Sequence, residues 1–115
     1  MTRDLFDIDQ FMSSLAHDKE LAKELVEAFL EDSPRRVAEL REALEAEDAP
    51  RVTKLAHSLK GMCGVVRADV LSRLALEMEY AGRDGRLDAV RGKFELFVDS
   101  LGRSRELMEQ FKAED

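Results

Sequence analysis

Two histidines and one cysteine are the most reactive side chains in this sequence of 115 residues. One of them, His57, lies in a stretch whose apolar residues recur with a helical period. At about 100° per residue, with Leu55 set to 0°, the apolar side chains centre at roughly 20–30° and His57 falls at about 200°. The apolar side chains are Val52, Leu55, Leu59, Met62 and Val66. The spacing therefore predicts an imidazole that faces water, where it can act as a base, a ligand or a nucleophile.

The neighbours of His57 on this outer face are unusual for a helix surface. Thr53, Lys60, Gly61 and Gly64 fall at about 160°, 140°, 240° and 180°. Each glycine costs a helix about 1 kcal/mol relative to alanine. Two such costs beside one exposed histidine indicate a surface kept bare so that a partner can approach closely. The simpler interpretation is that both glycines loosen the end of a short helix.

The charges in this stretch favour docking of an acidic partner. No acidic residue occurs between Asp48 and Asp69, although the chain as a whole has a net charge of −7. A locally basic face would steer an acidic site towards His57, although such a face can also be plain solvated surface. The basic residues of the stretch are Arg51, Lys54, Lys60 and Arg67. The residues that we expect to contact a partner are Thr53, Lys54, Gly61, Gly64 and Arg67.

The elements that must position these residues are all predicted to be helical, because apolar residues recur with a helical period along most of the chain. The predicted helices span about 8–16, 18–44, 50–66, 69–81 and 87–112. Ser33-Pro34 interrupts the second of them, which predicts a kink or a restart with Ser33 as N-cap and Pro34 at the first position. Gly82 is predicted to be a helix C-cap, and residues 113–115 are predicted to be frayed.

Two long and two shorter amphipathic helices with short connections predict an all-α fold. Its architecture is an antiparallel up-down four-helix bundle with a short extra N-terminal helix, as one domain over residues 1–115. No apolar run approaches the roughly 20 residues of a membrane span, so no membrane partner is expected. The single cysteine, Cys63, excludes an internal disulfide and favours the cytoplasm.

Other chemistries find little support in the sequence. A dimetal bundle needs Glu-x-x-His pairs, and no glutamate lies three residues before His17 or His57. Glycine-rich phosphate-binding loops are absent, which argues against a kinase or nucleotidase. The acidic balance argues against nucleic acid as a partner. We therefore expect no metal and no cofactor, and we expect Cys63 to pack inside and His17 to lie in a loop or cap.

Three segments resemble one known family. Residues 56–61, Ala-His-Ser-Leu-Lys-Gly, are similar to the signature of histidine phosphotransfer (Hpt) domains of two-component phosphorelays. Residues 27–34, followed by Leu40 and Ala43-Leu44, resemble the family's first bundle helix. Residues 78–83, Met-Glu-Tyr-Ala-Gly-Arg, resemble a motif on a later helix. The matching features cover nearly the whole chain.

The resemblance implies a phosphoryl carrier without kinase activity of its own. His57 would be phosphorylated, Lys60 would offset the phosphoryl charge, and Glu79 would orient the imidazole through one ring nitrogen. Gly61 and Gly64 would leave room for a partner. The implied partners are receiver domains of response regulators or hybrid sensor kinases, and a monomer would suffice.

Two points remain open within this resemblance. Arg67 stands where the family usually has glycine, so the turn must either change conformation or tolerate strain. A bundle of the same shape could also dock on a receiver or kinase without carrying phosphate. The sequence favours the carrier because His57, Lys60 and both glycines occur together.

Overall fold

The structure is a computed structural model that describes residues 2–114. Every regular element among these residues is a helix, which confirms the predicted all-α fold. Two short helices precede the long ones, where the sequence predicted one. The helices are α1 (Thr2–Leu5), α2 (Ile8–Ser14), α3 (Lys19–Glu45), α4 (Ala49–Val65), α5 (Asp69–Arg83) and α6 (Leu87–Ala113).

The prediction for the C-terminal residues is partly wrong. Ala113 was expected to be frayed, but it is the last residue of α6. Met1 and Asp115 lie outside the described residues, and with them the two ends of the predicted 1–115 domain and the fraying expected at Asp115.

Helices α3 to α6 form the bundle. α4 packs against α5, α5 packs against α6, and α3 packs against both α4 and α6, so the four helices close around one core. Neighbouring helices joined by three-residue turns must run antiparallel, which is the predicted up-down topology. The largest fully buried side chains of these four helices are Val26, Leu40, Val52, Leu59, Cys63, Leu71, Met78, Val90, Phe97 and Met108.

The N-terminal helices cover one end of this bundle. The rings of Phe6 and Phe11 pack against Phe111 of α6, with centroids 5.6 and 6.1 Å from it. The buried Ser104 hydroxyl donates to the carbonyl oxygen of Leu5 at 2.8 Å. The short helices therefore seal the end of the core rather than forming a separate unit.

Aspartates begin three of the helices. The side chains of Asp7, Asp18 and Asp48 each accept a hydrogen bond from the backbone N–H three residues on. This N-cap contact satisfies one of the free donors of the first helical turn. It fixes the starts of α2, α3 and α4.

The three turns between the bundle helices have the same backbone form. In each turn the middle residue has a positive φ, and its N–H donates to the carbonyl oxygen three residues earlier. The N–H of the following residue donates to the carbonyl oxygen five residues earlier. This is the Schellman pattern, which satisfies the last carbonyls of the preceding helix. The middle residues are Glu47, Arg67 and Gly85, with φ of 52°, 58° and 74°.

Gly82 was predicted to be a C-cap, and that prediction is wrong. α5 continues to Arg83, and Gly85 takes the left-handed position instead. A Cβ at Gly82 would lie only 2.8 Å from Oγ1 of Thr53 on α4. Glycine is needed there because α5 and α4 approach closely at this point.

Pro34 was predicted to kink α3 or to restart it with Ser33 as N-cap. α3 runs as one helix from Lys19 to Glu45 with Pro34 inside it, so the restart at Ser33 is wrong, and the single long helix through Pro34 is the other form that was predicted. Proline lacks the N–H that would bond to the carbonyl of Leu30, four residues earlier. Arg105 of α6 supplies the missing donor, since its Nη1 lies 2.8 Å from that carbonyl oxygen and 2.7 Å from Oγ of the buried Ser33. Because Arg105 of α6 donates to the carbonyl that Pro34 leaves free, α3 continues through Pro34 as one helix.

Removal of the Arg105 guanidinium should therefore destabilise the bundle. We expect Arg105→Ala to lower the free energy of unfolding by about 1–3 kcal/mol, since two buried acceptors lose their donor. Arg105→Ala should lower the free energy of unfolding by less in a Pro34→Ala background, because residue 34 then has its own N–H. Urea unfolding of the two single variants and the double variant measures this coupling. Arg103→Ala, at an exposed position on α6, is the control. Equal costs of Arg105→Ala in both backgrounds would contradict the assignment.

Candidate functional site

The outer face of α4 carries His57 as the sequence predicted, although the buried face is rotated slightly. Leu55 and Met62 are only partly buried, whereas Ala56 and Cys63 are fully buried. The buried residues therefore centre at about 60° on the wheel, rather than at the predicted 20–30°. His57 still lies on the opposite side, and its side chain is 65% exposed.

A buried carboxylate from α5 lies directly beside this imidazole. The side chain of Glu79 is only 6% exposed, and its Oε2 lies 3.0 Å from Nδ1 of His57. Glu79 is one turn before Gly82, on the same side of α5. The close approach of α5 to α4 at Gly82 is therefore what brings Glu79 within reach of His57.

Glu79 is surrounded by three nitrogen groups rather than one. Nη2 of Arg83, one turn further along α5, donates to the same Oε2 at 3.0 Å. Nζ of Lys60, one turn after His57 on α4, forms an ion pair with the other oxygen, Oε1, at 3.1 Å. His57, Lys60 and Glu79 were predicted as site residues, and the structure brings all three together.

The surroundings of Glu79 keep it ionised. Burial alone would raise the pKa of its carboxyl group, but the hydrogen bonds and charges of Lys60 and His57 outweigh burial and lower this pKa below its ordinary value. An ionised carboxylate can only accept hydrogen bonds, so Nδ1 of His57 must carry the proton. In the neutral imidazole the other nitrogen, Nε2, then keeps a free lone pair and is nucleophilic.

The two glycines after His57 have no packing reason inside this chain. A Cβ at Gly61 would meet nothing within 4 Å, and a Cβ at Gly64 would only touch Oγ of Ser72 at 3.9 Å. Alanine would fit at both positions and would favour the helix. Neither residue is required by the described fold, which supports the interpretation that they leave space for a partner.

The bare surface continues into an apolar patch that the sequence reasoning missed. Val65 follows Gly61 by four residues, as Gly61 follows His57, so the three lie along one ridge of α4. The side chain of Val65 is 54% exposed. It borders a shallow pocket of about 160 Å³ between α3 and α4, lined by Leu25, Ala28, Phe29, Asp32, Met62, Val65 and Val66. The wheel angle of Val65, which is about 280° and close to that of Gly61, was the sequence signal that Val65 would be exposed on this face.

Three further residues predicted to contact a partner take different places. Lys54 is exposed on α4. Thr53 is half-buried against Gly82, and its hydroxyl donates to the carbonyl of Ala49 at 2.8 Å. Arg67 adopts a φ of 58°, so the turn tolerates strain and does not change conformation. That conformation costs a non-glycine residue about 1–2 kcal/mol.

The remaining reactive side chains do not join the site. Cys63 is fully buried in the core, and burial raises the pKa of its thiol to about 12. His17 lies in the turn between α2 and α3 with a φ of 61°. Within residues 2–114, no three His, Cys, Asp or Glu side chains are grouped so that they could hold a metal ion. None of the helices described has both the length and the apolar character that crossing a membrane requires.

Comparison with known proteins identifies the family. The sequence model of the Hpt domain matches residues 24–114. The chain belongs to the Hpt family. As an Hpt domain it is a histidine phosphotransfer protein of phosphorelays, which confirms the resemblance seen in the sequence. A search of curated protein sequences finds no match.

Two solved structures share this Hpt fold. Histidine-containing phosphotransfer protein B (HptB) from Pseudomonas aeruginosa PAO1 has a TM-score of 0.88 and 27% identity, over 94% of both chains. The Hpt domain of a sensor hybrid histidine kinase from Shewanella has a TM-score of 0.83 and 21% identity, over 93% of this chain and 92% of that one. At that lower identity the second structure supports the fold alone.

Arg83 is the residue of the site that the sequence reasoning left without a role. It belongs to the quoted segment at residues 78–83, and it follows Glu79 by four residues on a predicted helix. That spacing is typical of a Glu–Arg pair on one helix. The signal was present, but the assignment of Gly82 as a C-cap placed Arg83 beyond the end of the helix.

The lowered pKa of Glu79 predicts a contribution to stability that depends on pH. A carboxyl whose pKa is lower in the folded state stabilises the fold above its unfolded-state pKa, and this is lost as the pH falls through the folded-state value. We expect wild-type stability to fall more steeply than that of Glu79→Gln below about pH 4.5, the ordinary value. Urea unfolding from neutral pH to about pH 3 measures this, with the half-exposed Glu77→Gln as control. Parallel curves for wild type and Glu79→Gln would contradict the assignment.

Proposed function

We propose that this Hpt domain carries its phosphoryl group on Nε2 of His57. It would receive the group from a receiver-domain aspartate or a kinase and pass it to another receiver. The hydrogen bond between Nδ1 of His57 and the ionised Glu79 is the observation that carries the proposal. It leaves one ring nitrogen exposed, oriented and free to attack.

The transfer step needs no proton movement at the histidine. Nε2 donates its lone pair to phosphorus, the bond between phosphorus and the aspartyl oxygen breaks, and that oxygen keeps the bonding pair as a carboxylate. The proton on Nδ1 stays in place, and the imidazole gains positive charge as the bond forms. The negative Glu79, 3.0 Å from Nδ1, stabilises that charge. The same steps in reverse return the group to another receiver.

Lys60 is the proposed cation for the phosphoryl oxygens. Its Nζ reaches the site from one turn beyond His57, and its side chain is about one-third exposed. A phosphoryl group on nitrogen brings roughly two negative charges, which a nearby ammonium offsets. We therefore assign Lys60 to charge compensation and Glu79 to orientation of the imidazole.

The proposed docking surface for a receiver is the ridge of α4 that contains His57. Gly61 and Gly64 would let the partner's loops approach the imidazole, and Val65 with its adjoining pocket would provide apolar contact. Lys54 and Arg67 would add positive charge at the rim and speed association with an acidic partner. All of these groups belong to one chain, so a monomer would suffice.

We propose that this protein is a phosphoryl carrier and not a kinase. Its sequence contains no glycine-rich loop that could hold nucleotide phosphates. Its net charge of −7 supports a protein partner and not nucleic acid. The buried, unpaired Cys63 is compatible with a reducing cytoplasm.

Substitution of the acceptor tests the proposal directly. We expect His57→Gln to lose all acid-labile phosphate after incubation with phosphorylated receiver domains, as measured by intact mass. The variant should stay folded and lose no more than about 1–2 kcal/mol of its free energy of unfolding, because His57 is exposed and only one of the donors to the buried Glu79 changes. His17→Gln is the matched control and should still be labelled. Binding of the wild type to competent donors without any label would favour a docking module that carries no phosphate.

Charge placed on the apolar part of the ridge should weaken docking. We expect Val65→Asp to raise the Kd for a receiver domain by about tenfold or more, since it loses apolar contact and adds a carboxylate facing an acidic partner. Leu96→Asp is the matched control, because Leu96 is equally exposed, at 55%, but lies on α6. Titration by calorimetry measures both. Equal effects of the two variants would exclude this surface.

A further inference from the structure

Two permanent cations share one buried carboxylate beside His57. Lys60 contacts Oε1 of Glu79, and Arg83 contacts Oε2, the oxygen that also faces Nδ1 of His57. When the imidazole is neutral, Lys60, Arg83 and Glu79 together carry a net charge of +1. One cation is enough to compensate Glu79, so the second is available for another anion.

Phosphorylation of His57 would create a competing demand for these cations. The phosphoryl oxygens attract a cation, yet Glu79 remains buried and its charge remains costly without a partner. If Lys60 were the sole permanent cation beside Glu79, its departure would leave the buried carboxylate with only the imidazole ring, whose positive charge is shared with the phosphoryl group. Lys60 would then be held on the carboxylate and would compensate the phosphoryl group poorly.

The geometry divides the two tasks between the two side chains. Lys60 lies on the same helix as His57 and ends in a flexible ammonium that can turn from one anion to the other. Arg83 lies on the same helix as Glu79, at the i+4 spacing that favours this pair. The ring of Tyr80 lies 5.8 Å from Cζ of Arg83 and further restrains the guanidinium.

We infer that Arg83 is a positioning residue that holds Glu79 ionised and in place while Lys60 moves from Oε1 of Glu79 to the phosphoryl group on His57. This inference rests on the proposed function of His57. Arg83 acts through Glu79 and does not contact the phosphoryl oxygens. Its contribution therefore exists only as long as residue 79 carries a negative charge.

A rescue experiment distinguishes this role from direct contact with phosphate. Initial rates of transfer from a phosphorylated receiver domain are measured at saturating receiver, so that docking does not limit them. We expect Arg83→Ala to slow transfer by about tenfold, since it removes a charge-assisted hydrogen bond from a buried carboxylate. In a Glu79→Gln background, which has no buried charge to balance, Arg83→Ala should have no further effect.

Lys60→Ala is the companion variant, and its behaviour should differ. Because Lys60 acts on the phosphoryl group itself, its loss should slow transfer by a similar factor in both the wild-type and the Glu79→Gln backgrounds. Arg83→Lys, which keeps the charge, should retain most of the rate. Arg73→Ala, at an exposed position on the same helix, controls for general effects on α5.

Two results would overturn the inference. An equal slowing by Arg83→Ala in both backgrounds would show that Arg83 acts on the phosphoryl group directly. An unchanged rate in Arg83→Ala would show that Lys60 needs no help to leave Glu79. Thermal unfolding of every variant separates these outcomes from loss of fold. Failure of the proposed function is a different observation, since the wild type itself would then carry no phosphate.

Discussion

The ionised carboxylate of Glu79 lies between α4 and α5, where water cannot solvate it, so its charge depends on donors from both helices. Each donor depends in turn on the carboxylate. His57 is oriented by it, and Lys60 and Arg83 are held beside the imidazole by it. Without this carboxylate, a surface histidine on a regular helix could rotate freely, and its neutral ring could carry the proton on either nitrogen.

Placing a carboxylate there requires the two helices to be close together at Gly82. Gly82 allows that approach, because any larger residue would collide with Thr53. The Schellman turn centred on Arg67 joins the same two helices and fixes their relative position despite a strained φ. Backbone strain and a small residue thus work together to support one ion cluster. The surface above the cluster is kept open by glycines that the packing does not need.

The sequence predicted those features that depend on periodicity. The exposure of His57 and the existence of the four bundle helices both follow from residue spacing within one element. The failures involve partners from distant elements. Ser33-Pro34 looks like the start of a new helix because Arg105, which bonds to the free carbonyl of Leu30, is remote in sequence. Gly82 looks like a cap because the closeness of α4 and α5 leaves no local signal. Arg83 was missed for the same reason, since its role depends on where α5 ends.

The contact between Arg105 and the carbonyl of Leu30 joins residues 75 positions apart in the chain. Before α6 docks, the middle of α3 lacks one hydrogen bond of its ladder, and water must occupy that carbonyl. Each half of α3 is short enough to be marginal in water on its own. The carbonyl that Pro34 leaves free in α3 therefore gains its protein donor only from the last helix. The first and last bundle helices are therefore coupled energetically through this contact, although most other contacts of this helical bundle are local.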